Sequence, residues 1–202
     1  MEKDWLLYEN EAHKKGYKMV CGVDEAGRGP LAGPVFAAAV ILPNDIVIEG
    51  LNDSKKLTEK KREKLYEEIK KYAIDYNVAS ASEKEIDNIN ILNATFLAMK
   101  RAIEGLKIQP DFALIDGNRK PELKIDSQTI IKGDSLSASI AAASILAKVE
   151  RDRLMKKLSE KYSRYQFSKH KGYGTKLHID LIKQYGPCEI HRKSFLKKIL
   201  GE

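Results

Sequence analysis

Three strand-like stretches of the chain run into acid. Residues 18–23 lead to Asp24-Glu25, residues 112–115 to Asp116, and residues 128–131 to Lys132-Gly133-Asp134. If these ends meet, the carboxylates of Asp24, Glu25, Asp116 and Asp134 face one small volume. Like charges held that close raise one another's pKa and repel unless a cation neutralises them. Oxygen-only ligands suit hard cations such as Mg²⁺ or Mn²⁺. Four carboxylates suffice for two such ions, the arrangement that activates water and steadies a leaving oxygen in phosphodiester cleavage. Each acid also has a plainer reading. Asp116-Gly117 can be a turn dipeptide, Asp134 or Ser135 the N-cap of a following helix, and Asp24-Glu25 solvated loop residues. Neighbours on a strand point to opposite faces, so one of Asp24 and Glu25 is expected at a bend. Glu25, next to Ala26-Gly27, is the expected one.

Beside the first acids lies Gly27-Arg28-Gly29-Pro30-Leu31-Ala32-Gly33. It matches neither GxGxxG nor the Walker A pattern. It offers bare backbone N–H groups and one guanidinium, a surface that can approach a phosphate or hydroxyl closely. A tight turn between adjacent strands requires glycine equally.

The elements that must position these residues read as an α/β domain. Residues 18–23 and 35–42 have strand character, the second run (VFAAAVIL) apolar throughout, as in a strand buried on both faces. Thr58 is placed to cap a helix with Leu65, Ile69 and Tyr72 at helical spacing. A third strand is expected over 74–80, and Ser82-Glu83-Lys84-Glu85 has the capping-box pattern of a short helix. A longer helix follows over 91–106, then strands over 112–115 and 128–131. A long helix spans about 136–162, rich in small residues in its first half and basic in its second, and two short helices end the chain. This order predicts a mixed sheet of about five strands flanked by helices. The expected layout is one domain over 1–202, with a core of about 19–162 and a small C-terminal helical segment of about 163–202.

The chain has 202 residues, 43% hydrophobic and 32% charged, which excludes a disordered protein. No apolar run reaches the length of a membrane span, and the acid-rich start (MEKDWLLYENEAHKKG) is no signal peptide, so the expected location is the cytoplasm. The two cysteines, Cys21 and Cys188, read as reduced thiols, and with four scattered histidines and no CxxC a zinc site is not expected. Net charge is +7, yet residues 148–198 hold 15 Lys/Arg against 5 Asp/Glu, a local +10 that leaves −3 for the rest. Such asymmetry suits a polyanionic partner, although basic helices also serve solubility.

Gly22-Val23-Asp24-Glu25-Ala26-Gly27-Arg28-Gly29-Pro30-Leu31-Ala32-Gly33-Pro34-Val35 resembles the signature of the type 2 ribonuclease H family, its bacterial ribonuclease HII branch in particular. The resemblance continues through Leu51-Asn52-Asp53-Ser54-Lys55-Lys56-Leu57, Ile115-Asp116-Gly117-Asn118, Lys132-Gly133-Asp134, residues 139–149 (SIAAASILAKV) and His170-Lys171-Gly172-Tyr173-Gly174-Thr175. It implies a ribonuclease H-like fold and a metal site of Asp24, Glu25, Asp116 and Asp134 binding Mg²⁺ or Mn²⁺, two ions during catalysis. It implies that Gly27, Arg28 and Gly29 read the ribose 2′-hydroxyl and nearby phosphate, that Tyr173 packs at the RNA-to-DNA junction, and that Lys55 contacts a phosphate. The implied activity is endonucleolytic cleavage of RNA in RNA–DNA hybrids and at single ribonucleotides in duplex DNA, a repair function, leaving 5′-phosphate and 3′-hydroxyl ends. The enzyme is expected to act as a monomer. Two rivals remain from the residues alone. A binding module without catalysis fits the basic quarter but not the acids. A metal-dependent DNA nuclease or integrase-like enzyme needs the acids but not the glycine loop or Tyr173.

Overall fold

The computed structural model describes residues 4–201. Among them the chain forms α1 (Leu7–Lys14), β1 (Val20–Ala26), β2 (Val35–Ile41), α2 (Glu59–Tyr72), β3 (Asp75–Ala81), α3 (Glu83–Glu104), β4 (Phe112–Asp116), β5 (Asp126–Ile130), α4 (Ala138–Lys161), α5 (Phe167–His170), α6 (Lys176–Tyr185) and α7 (Lys193–Leu200). The strands make one sheet in the order β3-β2-β1-β4-β5. β1 pairs antiparallel with β2 and β2 with β3, whereas β1–β4 and β4–β5 are parallel. The expected mixed five-stranded α/β sheet is therefore present. No helix among the described residues is long and apolar enough to cross a membrane.

Local chemistry sets most boundaries. Thr58 accepts from the Lys61 N–H at the start of α2, and Ser82 and Glu85 close the reciprocal capping box of α3. The two helices expected after Ser82 run together as α3 but break at Asn90, whose φ is 66°. The Asn90 side chain accepts from the N–H groups of Leu92 and Asn93, capping the second segment. α1 was not among the expected elements. Its Glu9 is buried and accepts from Ser137 Oγ, Ser139 N and Ser139 Oγ at 2.6–3.0 Å, which ties α1 to the start of α4.

The core lies on both faces of the sheet. α3 covers Cys21, Val23, Ala37 and Ala39. α4 covers the opposite face, with Ala26, Ala38 and Val40, and α2 packs outside it through Leu65, Tyr66 and Ile69. α4 approaches β1 closely because Gly22 lacks a side chain. A Cβ there would lie 2.1 Å from the Ser139 carbonyl carbon. Cys21 is fully buried, as its apolar surroundings in the sequence suggest.

The segment after α4 packs beneath the glycine loop. Phe167, Leu181 and Ile190 meet Ala32 and Met155 of α4, while Ile182 and Leu196 meet Leu31. Inside it a chain of hydrogen bonds runs to Tyr173. The Cys188 N–H donates to His191 Nδ1 at 2.9 Å, the two Nε2 atoms of His191 and His178 lie 3.1 Å apart, and His178 Nδ1 lies 3.0 Å from the Tyr173 carbonyl. One tautomer pattern satisfies all three: His191 protonated on Nε2 and His178 on Nδ1, both rings neutral. Burial pushes both imidazoles down to about 4, with His170 adding to the effect on His178.

Two outcomes follow from this packing. Gly22→Ala should destabilise the fold by about 2–3 kcal/mol, a fall in Tm of roughly 4–12 °C for a chain this size; an unchanged melt would mean α4 is not seated on Gly22. The histidines give a pH dependence. Unfolded imidazoles titrate near ~6.5, so between about pH 6.5 and 4 the unfolded chain binds more protons. Stability should be full above that window and fall as pH falls through it. His178→Asn keeps a donor near the Nδ1 position and should flatten this limb in urea titrations; an equally steep limb would assign the acid sensitivity to other groups.

Candidate active site

The parallel trio β1, β4 and β5 brings three carboxyl ends to one edge of the sheet, where sites in open α/β sheets tend to form. Val23 pairs with Ile115, so Asp24 and Asp116 follow at one level. Asp116 pairs with Ile130, and the chain leaves β5 through a left-handed Lys132 (φ 59°) into a short 3-10 turn, Gly133–Ser135. There the Asp134 N–H lies 3.4 Å from Asp116 Oδ1. Asp134 is not a helix cap: Ser137 caps α4, accepting from the Ile140 N–H. Gly117, at φ 103°, does form the turn after Asp116.

The bend falls two residues later than expected. β1 continues through Glu25 and Ala26, which pair with Ala37 and Phe36, and the chain turns only at Gly27, φ 95°. Asp24 and Glu25 consequently keep strand alternation. Asp24 points to the α4 face and is buried, 3% exposed. Glu25 points to the α3 face, where it helps line a cleft of about 220 Å³ with Arg28, Asp116, Asn118 and Arg119. Asp116, at the end of the neighbouring strand, interacts with both.

The electrostatics of this edge are strained. Burial, then Glu25 and Asp116, hold the Asp24 carboxyl well above its ordinary range, against a hydrogen bond from Ser144. Burial also raises Glu25, with Asp116 adding to the rise and Arg28 opposing it; the Arg28–Glu25 ion pair measures 3.5 Å. Burial followed by Asp116 and Asp53 raises Asp134, opposed by Lys55. Lys55 itself is exposed. Desolvation pulls its ammonium down, but Asp24, Asp53, Asp134 and Asp116 outweigh that and raise it. Among the described residues no three His, Cys, Asp or Glu side chains are already drawn in to cage an ion. With opposite faces for Asp24 and Glu25, and Glu25 turned to Arg28, the acids interact without closing on one point. Their chemistry still fits a hard divalent cation: the donors are all carboxylate oxygens, and the like charge that, with burial, raises Asp24, Glu25 and Asp134 is what such a cation relieves.

The glycine loop and Tyr173 come together beside this edge. The Leu31 N–H donates to the Gly172 carbonyl at 2.8 Å, and a Cβ on Gly172 would lie 2.5 Å from the Ala32 oxygen. The Tyr173 ring is 40% exposed, with Lys148 Nζ and Arg151 Cζ each 5.7 Å from its centroid. The loop's glycines differ in kind. Gly27 is required by the fold: its φ is positive and a Cβ would strike Arg151 Nε at 2.0 Å. Gly29 has neither demand, for a Cβ there would meet open space.

Sequence reasoning missed several side chains here. Ser144 bonds Asp24 and lies 2.9 Å from Ser54 Oγ, both serines buried. Arg151 and Arg192 are fully buried against the loop, so two charges of the basic C-terminal quarter are not on its surface. Arg151 had a signal. In Ala143, Ala147, Arg151 and Met155, a four-residue spacing marks one buried stripe with a single charged member. Arg192 sits in an irregular segment and had none.

Known proteins resemble this chain in sequence and fold. Residues 21–198 match the family model for ribonuclease HII. The ribonuclease HII of Caldicellulosiruptor saccharolyticus is 62% identical over 99% of this chain and 98% of its own length. That of Idiomarina loihiensis is 59% identical over 91% and 99%. In three dimensions the ribonuclease H2 of Pyrococcus horikoshii OT3 superposes with a TM-score of 0.74 at 30% identity, covering 90% of this chain and 97% of that one. The Bst ribonuclease HIII, solved in complex with Mn²⁺, has the same fold at TM-score 0.67 and 19% identity, over 94% and 71% of the two chains. By sequence over nearly its whole length, and by fold, this chain belongs to the ribonuclease HII family of ribonuclease H enzymes.

Proposed function

We propose that this enzyme hydrolyses the RNA strand of RNA–DNA hybrids and also cuts duplex DNA at single embedded ribonucleotides, leaving 5′-phosphate and 3′-hydroxyl ends. It would do so in the cytoplasm as a monomer, with residues of about 19–162 as the core of one domain and those after about 163 as its C-terminal helical segment. One juxtaposition carries the reading: a carboxylate-rich strand edge stands beside a backbone loop whose Gly29 faces open space. Only the 2′-hydroxyl distinguishes RNA from DNA at a given sugar, and a glycine without a packing or conformational reason leaves room for a sugar to approach.

The four acids, Asp24, Glu25, Asp116 and Asp134, are the residues to hold two Mg²⁺ or Mn²⁺ ions; Mn²⁺ is the ion in the solved ribonuclease HIII complex. Bound there, such ions supply Lewis acidity toward an attacking water and the departing 3′-oxygen. The protein's own residues do the selecting. Gly27, Arg28 and Gly29 present backbone N–H groups and a guanidinium to the 2′-hydroxyl and its phosphate. Tyr173, exposed and backed by Lys148 and Arg151, packs against the sugar at the junction. Lys55 serves the acids as counter-charge in their absence and a phosphate in the complex. A binding module without catalysis, or a DNA nuclease on this fold, is separated by one assay. A duplex with one ribonucleotide should be cut in Mg²⁺ or Mn²⁺ and not in EDTA, while the all-DNA duplex stays whole. Cleavage of both duplexes, or of neither, would overturn the proposal.

Two sets of variants sharpen the site. Asp24→Asn and Asp116→Asn should each lose nearly all turnover. Because each removes a charge from a crowded edge, the metal-free Tm should hold or rise; near-normal Mg²⁺-dependent cleavage by both would remove these residues from the site. Tyr173→Ala should slow cutting at a single ribonucleotide by about ten- to a hundredfold, from roughly 1–3 kcal/mol of lost packing. The loss should be smaller on a continuous hybrid, where other registers serve, while Arg28→Ala should weaken both substrates alike. Equal losses for Tyr173→Ala on both would give the ring a loop-supporting role only.

A further inference from the structure

Two guanidiniums lie wholly inside the protein and spend their donors on backbone carbonyls. Arg192 donates Nη2 to the Gly27 oxygen at 2.6 Å, Nη1 to Arg28 at 2.8 Å and Nε to Gly33 at 2.9 Å. Arg151 donates Nη2 to Ala32 at 3.1 Å, Nε to Pro34 at 3.2 Å and Nη1 to Lys171 at 3.0 Å. Both side chains are 0% exposed. Between them they take up carbonyls at both ends of the glycine loop, and Arg151 also holds the segment that carries Tyr173.

This has a geometric consequence. The described chain has no cis peptide bond, and in a planar trans peptide the N–H points opposite to the C=O of the same unit. The Gly27 carbonyl and the Arg28 N–H share one unit; the Arg28 carbonyl and the Gly29 N–H share the next. Drawing both oxygens inward to Arg192 therefore turns both N–H groups outward. We infer that Arg192, backed by Arg151, is a positioning residue for substrate recognition: its fork orients the loop so that the Arg28 and Gly29 amides face the 2′-hydroxyl or phosphate. This rests on the proposed function for the identity of the ligand, but not for the orientation of the amides.

The energetics favour such a device. Buried carbonyls left without donors are costly, and glycine offers little resistance to peptide rotation. Without the fork the loop's oxygens would turn toward water, and the amides would leave the site. Burial, with Arg151 nearby, lowers Arg192 to about 9, so at neutral pH it remains protonated and its donors remain filled. A lysine keeps a charge but lacks the planar three-point fork.

Arg192→Lys and Arg192→Ala test this in the full chain, with Arg192→Lys carrying the test if the alanine variant fails to fold. In amide NMR spectra without nucleic acid, Arg192→Lys should displace the Arg28 and Gly29 signals and spare those of Ile115 and Ile130 in the sheet. On a duplex with one ribonucleotide, kcat should fall by about ten- to a hundredfold, with KM changed by less than about threefold and binding of an all-DNA duplex unchanged. Unmoved Arg28 and Gly29 signals, or a loss in kcat matched by an equal loss of all-DNA binding, would overturn the inference. If the wild-type chain leaves the duplex uncut, the proposed function fails, and the amide signals still decide the orientation of the loop.

Discussion

The parallel pairing of β1, β4 and β5 is the constraint from which the rest of the site follows. Parallel neighbours end at the same edge, so the acids that finish them come near enough to repel one another. The cost is visible in Asp24, Glu25 and Asp134, each less acidic than its type because burial and neighbouring carboxylates act together. An arrangement that merely maximised stability would not concentrate like charge in this way. The fold tolerates it because the backbone beneath is fixed by contacts of another kind: α4 seated on Gly22, and Ser144 and Ser54 buried behind Asp24.

The same helix serves two tasks along its length. Its small-residue half lies flat on the sheet and supports the acids; its second half turns Arg151 under the glycine loop. The acid edge and the loop are thereby tied to one rigid element. The loop is further stitched to the tail, with the Gly33 N–H donating to Ile190 and the Arg192 N–H to Leu31, and Tyr173 held through His178. The acid edge, the glycine loop and Tyr173 thus come from pieces far apart in sequence but bound to a common frame.

Charge placement gains meaning only in this frame. The excess of lysine and arginine after Lys148 is not one uniform surface. Arg151 and Arg192 face inward, Lys148 pairs with Asp152 at 2.7 Å, Lys156 with Glu59 at 2.5 Å and Lys176 with Asp180 at 2.6 Å. The last two pairs are exposed and contribute little to stability, but all three leave fewer free cations for a polyanion than a count along the chain implies.

The amino-acid sequence by itself determined what is local. Side-chain alternation, helical spacing and capping residues such as Thr58, Ser82 and Glu85 specify conformation within a few residues, and the strands and helices lie close to where those patterns place them. It also marked the acids as strand-terminal, and the motifs around them carried the family resemblance. What the tertiary structure decided is everything set by adjacency. Asp116 interacts with both Asp24 and Glu25 because β4 chose β1 as its parallel neighbour, and nothing in a strand's own residues names its partner. Glu25 stays in the strand, with no bend before Gly27, because β2 pairs with β1 through Ala26. Gly27 and Gly29 look alike in the sequence, yet one makes room for a buried guanidinium and the other faces open space. Arg192 reads as one more basic residue until the fold buries it. Burial then forces its donors onto the loop's carbonyls, since a guanidinium removed from water must find other acceptors.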